Sequence, residues 1–179
     1  MDDHLAPGAP SDSEVVLVQL MTITDANIVG NVHGGTIMKL VDTAAGLSAA
    51  RHCGGLAVTA AMDEMSFLAP VFVGDVVTVK ATVNDAGTTS MEVGVRVEAE
   101  NLTSGLKVHT SSAYLVFVAL DEDGKPRRVP SIEPKTEVER QRQVEAKLRR
   151  ENRLARAAAI RAARDPDEPA ITRTDHGRD

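Results

Sequence analysis

Between Gly35 and His52, apolar residues fall at Ile37, Met38, Leu40, Val41, Ala44, Ala45, Leu47 and Ala49. These positions point in nearly every direction around a helical wheel, so the pattern predicts a helix buried on most of its surface. Ahead of it, Val15 to Met21 is a short β-branched run that reads as a first strand. Behind it, Gly54-Gly55 supplies a helix stop. Four more strand-like segments follow, Leu56 to Phe67, Val76 to Val83, Met91 to Asn101 and Val108 to Leu120. The turns between them, such as Asp85-Ala86-Gly87-Thr88 and Asn101-Leu102-Thr103-Ser104-Gly105, are too short for parallel crossovers and call for antiparallel neighbours. Val93, Val95 and Val97 alternate with Glu92, Arg96 and Glu98, which gives that sheet one covered and one wetter face. One long central helix wrapped by a curved antiparallel sheet is the α+β layout that follows.

The pattern changes at both ends of this unit. Residues 1–13 are acidic and contain Pro7 and Pro10, and read as a disordered leader. The sheet-and-helix unit occupies residues 14–134. Residues 135–164 are rich in Arg, Glu, Gln and Ala, with a thin apolar stripe at Val138, Gln141, Val144, Leu148 and Ala155, and predict a long solvated helix. This helix is either a peripheral strap or a basic arm for an anionic ligand. Residues 165–179 read as a disordered tail.

Charge and composition narrow the function classes. The net charge of −6 conceals a −9 unit over residues 1–134 bearing a +6 helix over residues 135–164. Aromatic residues are only 2% of the chain and Trp is absent, so no stacking platform for bases exists and nucleic acid is not an expected partner. The single cysteine, Cys53, excludes an internal disulfide and suits a reducing compartment. No signal peptide and no apolar run of membrane-spanning length is recognisable, so a cytoplasmic protein with no membrane contact is expected.

Candidate chemistry concentrates where a polar turn, Gly30-Asn31-Val32-His33-Gly34-Gly35-Thr36, opens into the apolar helix carrying Asp42. A carboxylate on a buried helix must be hydrogen-bonded, paired or used. Gly34 and Gly35 leave the first backbone N–H groups bare at the positive end of the helix dipole, where a ligand oxygen can approach. Asn31 also fits a plain turn or cap, and His33 fits either a turn-fixing role or substrate contact. Gly87-Thr88-Thr89-Ser90 is most simply a hairpin turn. No metal-ligand spacing links His33, His52 and His109, and no cofactor is called for.

Asp25-Ala26-Asn27, Gly30 to Thr36, Phe67-Leu68-Ala69-Pro70-Val71, Val73-Gly74-Asp75 and Gly87-Thr88-Thr89-Ser90, taken together, resemble the hotdog-fold acyl-CoA thioesterases over about residues 15–150. The chain resembles especially the broad-specificity acyl-CoA hydrolases that include the brain enzyme, whose C-terminal helix has a similar composition. The resemblance implies hydrolysis of fatty acyl-CoA to fatty acid and CoA, in a site between subunits of a homodimer or trimer of dimers. It implies Asp42 as nucleophile or general base, Asn31 on the thioester oxygen or the attacking water, and the Gly35 N–H as oxyanion donor. His33, Gly34, Thr88, Thr89 and Ser90 would bind substrate. Some branches of the fold carry a Ser or Thr one turn after the carboxylate; here that position is Gly46. The alternatives are a non-catalytic acyl-CoA sensor and a hydratase or dehydratase of the same fold using His33 with Asp42.

Overall fold

The computed structural model describes residues 6–163. Its elements are β1 (Val15–Leu20), α1 (Gly34–Cys53), β2 (Ala57–Phe67), β3 (Asp75–Ala86), β4 (Ser90–Asn101), β5 (Lys107–Ala119) and α2 (Glu137–Ala163). All strand pairs are antiparallel, in the order β1-β3-β4-β5-β2. The order places β1 and β2 at the two edges and the alternating valines of β3 and β4 at the centre.

Val77, Val79, Ala81 and Val83 on β3, Val93, Val95 and Val97 on β4, and Ala113, Leu115 and Phe117 on β5 form the inner face. Onto it α1 lays Ile37, Val41, Ala44, Ala45, Ala49 and Cys53, a stripe at helical spacing. Each fully buried Val or Leu stabilises the fold by about 1.5–3 kcal/mol. Gly46 lets the Phe117 ring come within 3.5 Å of where a Cβ would stand. At its C-terminus α1 stops at Gly54, whose φ of 65° is left-handed, with the Gly54 N–H returning to the Ala50 carbonyl.

The helix is less enclosed than its composition predicts. Met38 and Leu47 are 42% and 49% exposed, and Lys39, Asp42 and Thr43 are exposed beside them. Only one side of α1 meets the sheet of its own chain, and the apolar residues on the other side are uncovered in it.

The segment expected to be a loose leader is docked from Gly8 onward. The Gly8 N–H donates to the Ser131 carbonyl, and the Glu133 N–H donates to the Gly8 carbonyl. Ser13, fully buried, accepts the Val83 N–H at 2.9 Å. Residues 1–5 and the tail over 165–179 lie outside the described residues. His52 sits under this strap, its Nε2–H donating to the Pro130 carbonyl at 2.9 Å while its ring packs against Gly8.

Burial lowers the His52 pKa below 6.5, partly opposed by the Pro130 carbonyl and Asp12. The neutral ring therefore contributes stability that is complete above the unfolded value and is lost as pH falls from there toward the folded value. We expect Tm to drop as pH falls below about 6.5, and His52→Gln to lessen that drop, as a pair of thermal melts would show.

α2 also departs from expectation. It begins in a capping box, with Glu139 accepting the Thr136 N–H at 2.9 Å while Thr136 Oγ1 accepts the Glu139 N–H at 3.2 Å. The helix docks on the outer face of the sheet through polar side chains. Gln143 donates to Asp85 at 3.0 Å, Arg149 grips Glu92 with two bonds of 2.7 and 3.1 Å, and Arg153 pairs with Asp63. Arg149 also lies 3.6 Å over the Tyr114 ring. The apolar stripe at Val138, Val144 and Leu148 faces solvent in this chain. Its best-placed cations are thus committed to carboxylates of the sheet, the arrangement of a strap.

Candidate active site

The turn before α1 is shaped by Asn27. Its Oδ1 accepts the N–H groups of Val29 (2.9 Å) and Asn31 (3.2 Å), and its own N–H donates to the Asn31 carbonyl at 2.7 Å. With the amide oxygen taken by two backbone donors, the orientation of the side chain is settled and its Nδ2 hydrogens are left to donate outward. Bridges from Ala26 to Val32 and from Asn31 to Phe72 tie the turn to the segment before β3.

His33 is the N-cap of α1, with Nδ1 accepting the Gly35 N–H at 2.8 Å. A Cβ at Gly35 would stand 2.9 Å from that nitrogen, so only glycine permits the cap. The Gly35 N–H, expected to face an oxyanion, is thereby engaged by His33, whereas the Gly34 N–H has no protein acceptor among the described residues. Beside Gly34 stands the Phe67 ring, 3.5 Å from where a Cβ would be. Asn27, Asn31, Gly34, Ile37, Phe67 and Leu68 together line a cleft of about 340 Å³.

Asp42 lies eight residues further along α1 than Gly34, roughly 12 Å along the axis at about 1.5 Å per residue. Thr59 Oγ1, from the start of β2, donates to Asp42 Oδ1 at 2.7 Å. One carboxylate oxygen is thus fixed, while Oδ2 has no protein donor among the described residues and faces the uncovered side of α1. A carboxylate held this way can take a proton from water or attack a carbonyl. The hydroxyl that some branches place one turn after the carboxylate comes here from another element, because position 46 is glycine packed on Phe117.

The structure therefore brings Asn31, His33, Gly34 and Gly35 together at one end of α1 and sets Asp42 two turns away. Thr88, Thr89 and Ser90 form the β3–β4 turn, closed by the Gly87 N–H on the Ser90 carbonyl and tied to Val129 and Ala119 through the Thr88 and Thr89 carbonyls. That turn lies at the end of β3 opposite to Asp75. At about 3.3 Å per residue the contour of β3 between them is roughly 36 Å, an upper bound on their separation in a curved sheet, and one chain does not unite the two.

Asn27 and Thr59 were not singled out by sequence reasoning. Asn27 stood within a recognised motif, Asp25-Ala26-Asn27, but carried no assigned role. Nothing in the local sequence around Thr59 connects it with Asp42. A second hollow, of about 320 Å³, lies on the outer face of the sheet, with Lys80, Arg96 and Arg142 among its lining. There Lys80 and Arg96 are occupied by Glu98, whose carboxyl their hydrogen bonds hold down at about 2. The cleft at α1 is the one that adjoins the bare Gly34 N–H. Among the described residues no three His, Cys, Asp or Glu side chains gather as metal ligands, and no helix is long and apolar enough to cross a membrane.

Residues 29–105 match the family model described as the Thioesterase superfamily. A Bacillus subtilis protein named as an uncharacterized acyl-CoA thioester hydrolase is 38% identical over 161 residues, covering 88% of this chain and 94% of the relative. The cytosolic acyl coenzyme A thioester hydrolase of Mus musculus is 37% identical over 145 residues; the match covers 80% of this chain and 38% of the longer mouse protein. Among solved structures, an apo-hexameric acyl-CoA thioesterase superposes with a TM-score of 0.83 at 37% identity, covering 86% of this chain and 99% of its own. An acyl-CoA hydrolase from Staphylococcus aureus, in complex with butyryl coenzyme A, coenzyme A and coenzyme A disulfide, gives 0.80 at 34% identity, covering 87% and 94%. Structures of that enzyme also exist with an aspartate, an asparagine or a threonine changed to alanine.

Proposed function

Because the chain belongs to the thioesterase superfamily and is an acyl-CoA thioester hydrolase, we propose that it works through a site shared between two copies of itself. Membership among hydrolases sets aside the sensor and the hydratase readings. The observation that carries the shared site is the separation within one chain of the Thr59-held Asp42 carboxylate from the cleft at the N-terminus of α1. Attacking group and oxyanion donor must each come within about 3 Å of the same carbonyl. Two α1 helices packed antiparallel across a two-fold axis bring Asp42 of one copy to the cleft of the other. The uncovered Met38 and Leu47 give such packing its apolar contact. The same axis carries the Thr88–Ser90 turn of one copy toward the distant cleft, where Thr88, Thr89 and Ser90 can bind the CoA portion.

Asp42 is the nucleophile or the general base. The thioester oxygen is received at the N-terminus of α1 by the Gly34 N–H and, when the His33 ring swings aside, by the Gly35 N–H. We assign the amide partner to Asn27, with Asn31 lining the cleft, because the Asn27 amide is already oriented to donate. Support also comes from the Staphylococcus aureus enzyme: its three altered positions stand at the same two intervals along the chain as Asn27, Asp42 and Thr59. The hexameric relative supports a trimer of such dimers, and the cytosolic mouse relative supports a cytoplasmic site of action on fatty acyl-CoA.

Alanine substitutions test the assignment. Asn27→Ala is expected to lower kcat for acyl-CoA by about 10²-fold, the scale of losing one oxyanion-type donor, and Asn31→Ala by only a few-fold. Release of free thiol from butyryl-CoA and longer esters reads both. The opposite ranking would return the role to Asn31.

A further inference from the structure

We infer that Arg153 of α2 is a positioning residue for the Thr59–Asp42 pair, acting through the bulged strand β2; the inference rests on the role given above to Asp42. β2 pairs with β5 alone, and its register jumps twice, between Thr59 and Ala61 and between Met62 and Glu64. Each jump inserts one residue, Ala60 and then Asp63, without a partner on β5. The inward-facing residues of β2 are consequently spaced by three instead of two. Thr59 reaches Asp42, while Met62 and Met65 pack against the core. Each bulge absorbs one residue and so keeps Met62 and then Met65 opposite the inward Leu115 and Ala113 of β5; loss of either would turn the residues beyond it to the other face, so both must stay in place.

Asp63, the extra residue of the second bulge, swings to the outer face, where its side chain is 8% exposed and paired with Arg153 of α2. Arg153 is the only partner the described residues offer that carboxylate. The anchor point is itself rigid. α2 crosses the sheet from Gln143 on Asp85 of β3, through Arg149 on Glu92 of β4 and over Tyr114 of β5, to Arg153 on β2. Ten residues of helix span about 15 Å, and three strand spacings span about 14 Å, so the helix reaches β2 in register with its other anchors. Without Arg153 the buried Asp63 carboxylate is left unpaired, which drives the extra residue toward solvent and releases the bulge. The first bulge, immediately after Thr59, then loses its fixed spacing, and the threonine no longer holds Asp42 at the angle it needs.

A double-mutant cycle distinguishes positioning from bulk stability. Arg153→Ala is expected to lower kcat about 10-fold with KM unchanged within twofold, because small displacements of a reacting group cost at least that much. Thr59→Val should cost a similar factor, and the double variant no more than about 20-fold in place of the roughly 100-fold product, since both changes remove the same restraint. Asp63→Asn should reproduce Arg153→Ala, and Arg153→Lys should recover part of the loss while serving as the folded control. A multiplicative double variant would overturn the inference, as would a raised KM at unchanged kcat or loss of assembly by light scattering. Asp42→Asn run alongside separates the two levels: an active Asp42→Asn removes the catalytic reading itself, whereas an inactive one beside a fully active Arg153→Ala removes only the link through β2.

Discussion

Asp42→Asn should keep the fold and assembly of the protein and lower kcat for acyl-CoA by about 10²-fold or more, the contribution of a positioned base. The substitution is nearly isosteric, and Thr59 Oγ1 can still donate to the amide oxygen, so the contact between α1 and β2 survives. Asp42 is exposed in the chain and serves no core packing. What the amide lacks is the ability to take a proton or to attack a carbonyl, in either role assigned to the residue. KM should change only a few-fold, because the groups proposed to bind CoA lie elsewhere. Free-thiol release under saturating substrate, with a thermal melt and a light-scattering mass for the same sample, provides the measurement. A kcat within a few-fold of wild type would remove Asp42 from the mechanism.

The elements were legible because each has a hydrophobic period of its own. β-Branched alternation marked β3 and β4, and the dense apolar run marked α1. Local sequence also exposed the opening of α1 at Gly34, but the Gly35 N–H, expected to be bare as well, is taken by the His33 cap. What stayed hidden depends on contacts between distant segments. The expectation of a helix buried on most of its surface around Asp42 assumed that an apolar wheel closes within one chain, whereas Met38 and Leu47 are uncovered in it. Thr59 meets Asp42 only because β2 returns along α1, and two bulges inside Ala57–Phe67 leave no mark in a run that reads as continuous strand. Glu92 on the wetter face and Asp85 in a turn gave no sign that Arg149 and Gln143 of α2 cover them, and nothing in the sequence near Asp63 points to Arg153. Asn27 and Asn31 share one turn and one residue type. The difference lies in which amide oxygen the backbone occupies, and that is decided by the closed turn, not by composition.

Two inactive parents should make an active protein. Coexpressed chains carrying Asp42→Asn and chains carrying Asn27→Ala pair at random, so about half the dimers are mixed. In a mixed dimer one site combines both lesions and the other combines Asp42 with Asn27, both intact, provided each site draws its carboxylate from one chain and its amide from the other. Activity should therefore return to roughly a quarter of wild type, against parents reduced about 10²-fold each. Separation along one helix is the reason for proposing the arrangement. Gly34 and Asp42 are roughly 12 Å apart on an axis that cannot bend to bring them to one carbonyl. Trimers of dimers leave the outcome unchanged, because each site still belongs to one pair of α1 helices. Differently tagged chains allow mixed dimers to be purified and assayed directly, which frees the result from any bias in pairing. Purified mixed dimers as inactive as either parent would mean that carboxylate and amide act within a single chain, and that α1 or the turn at Asn27 rearranges to let them meet.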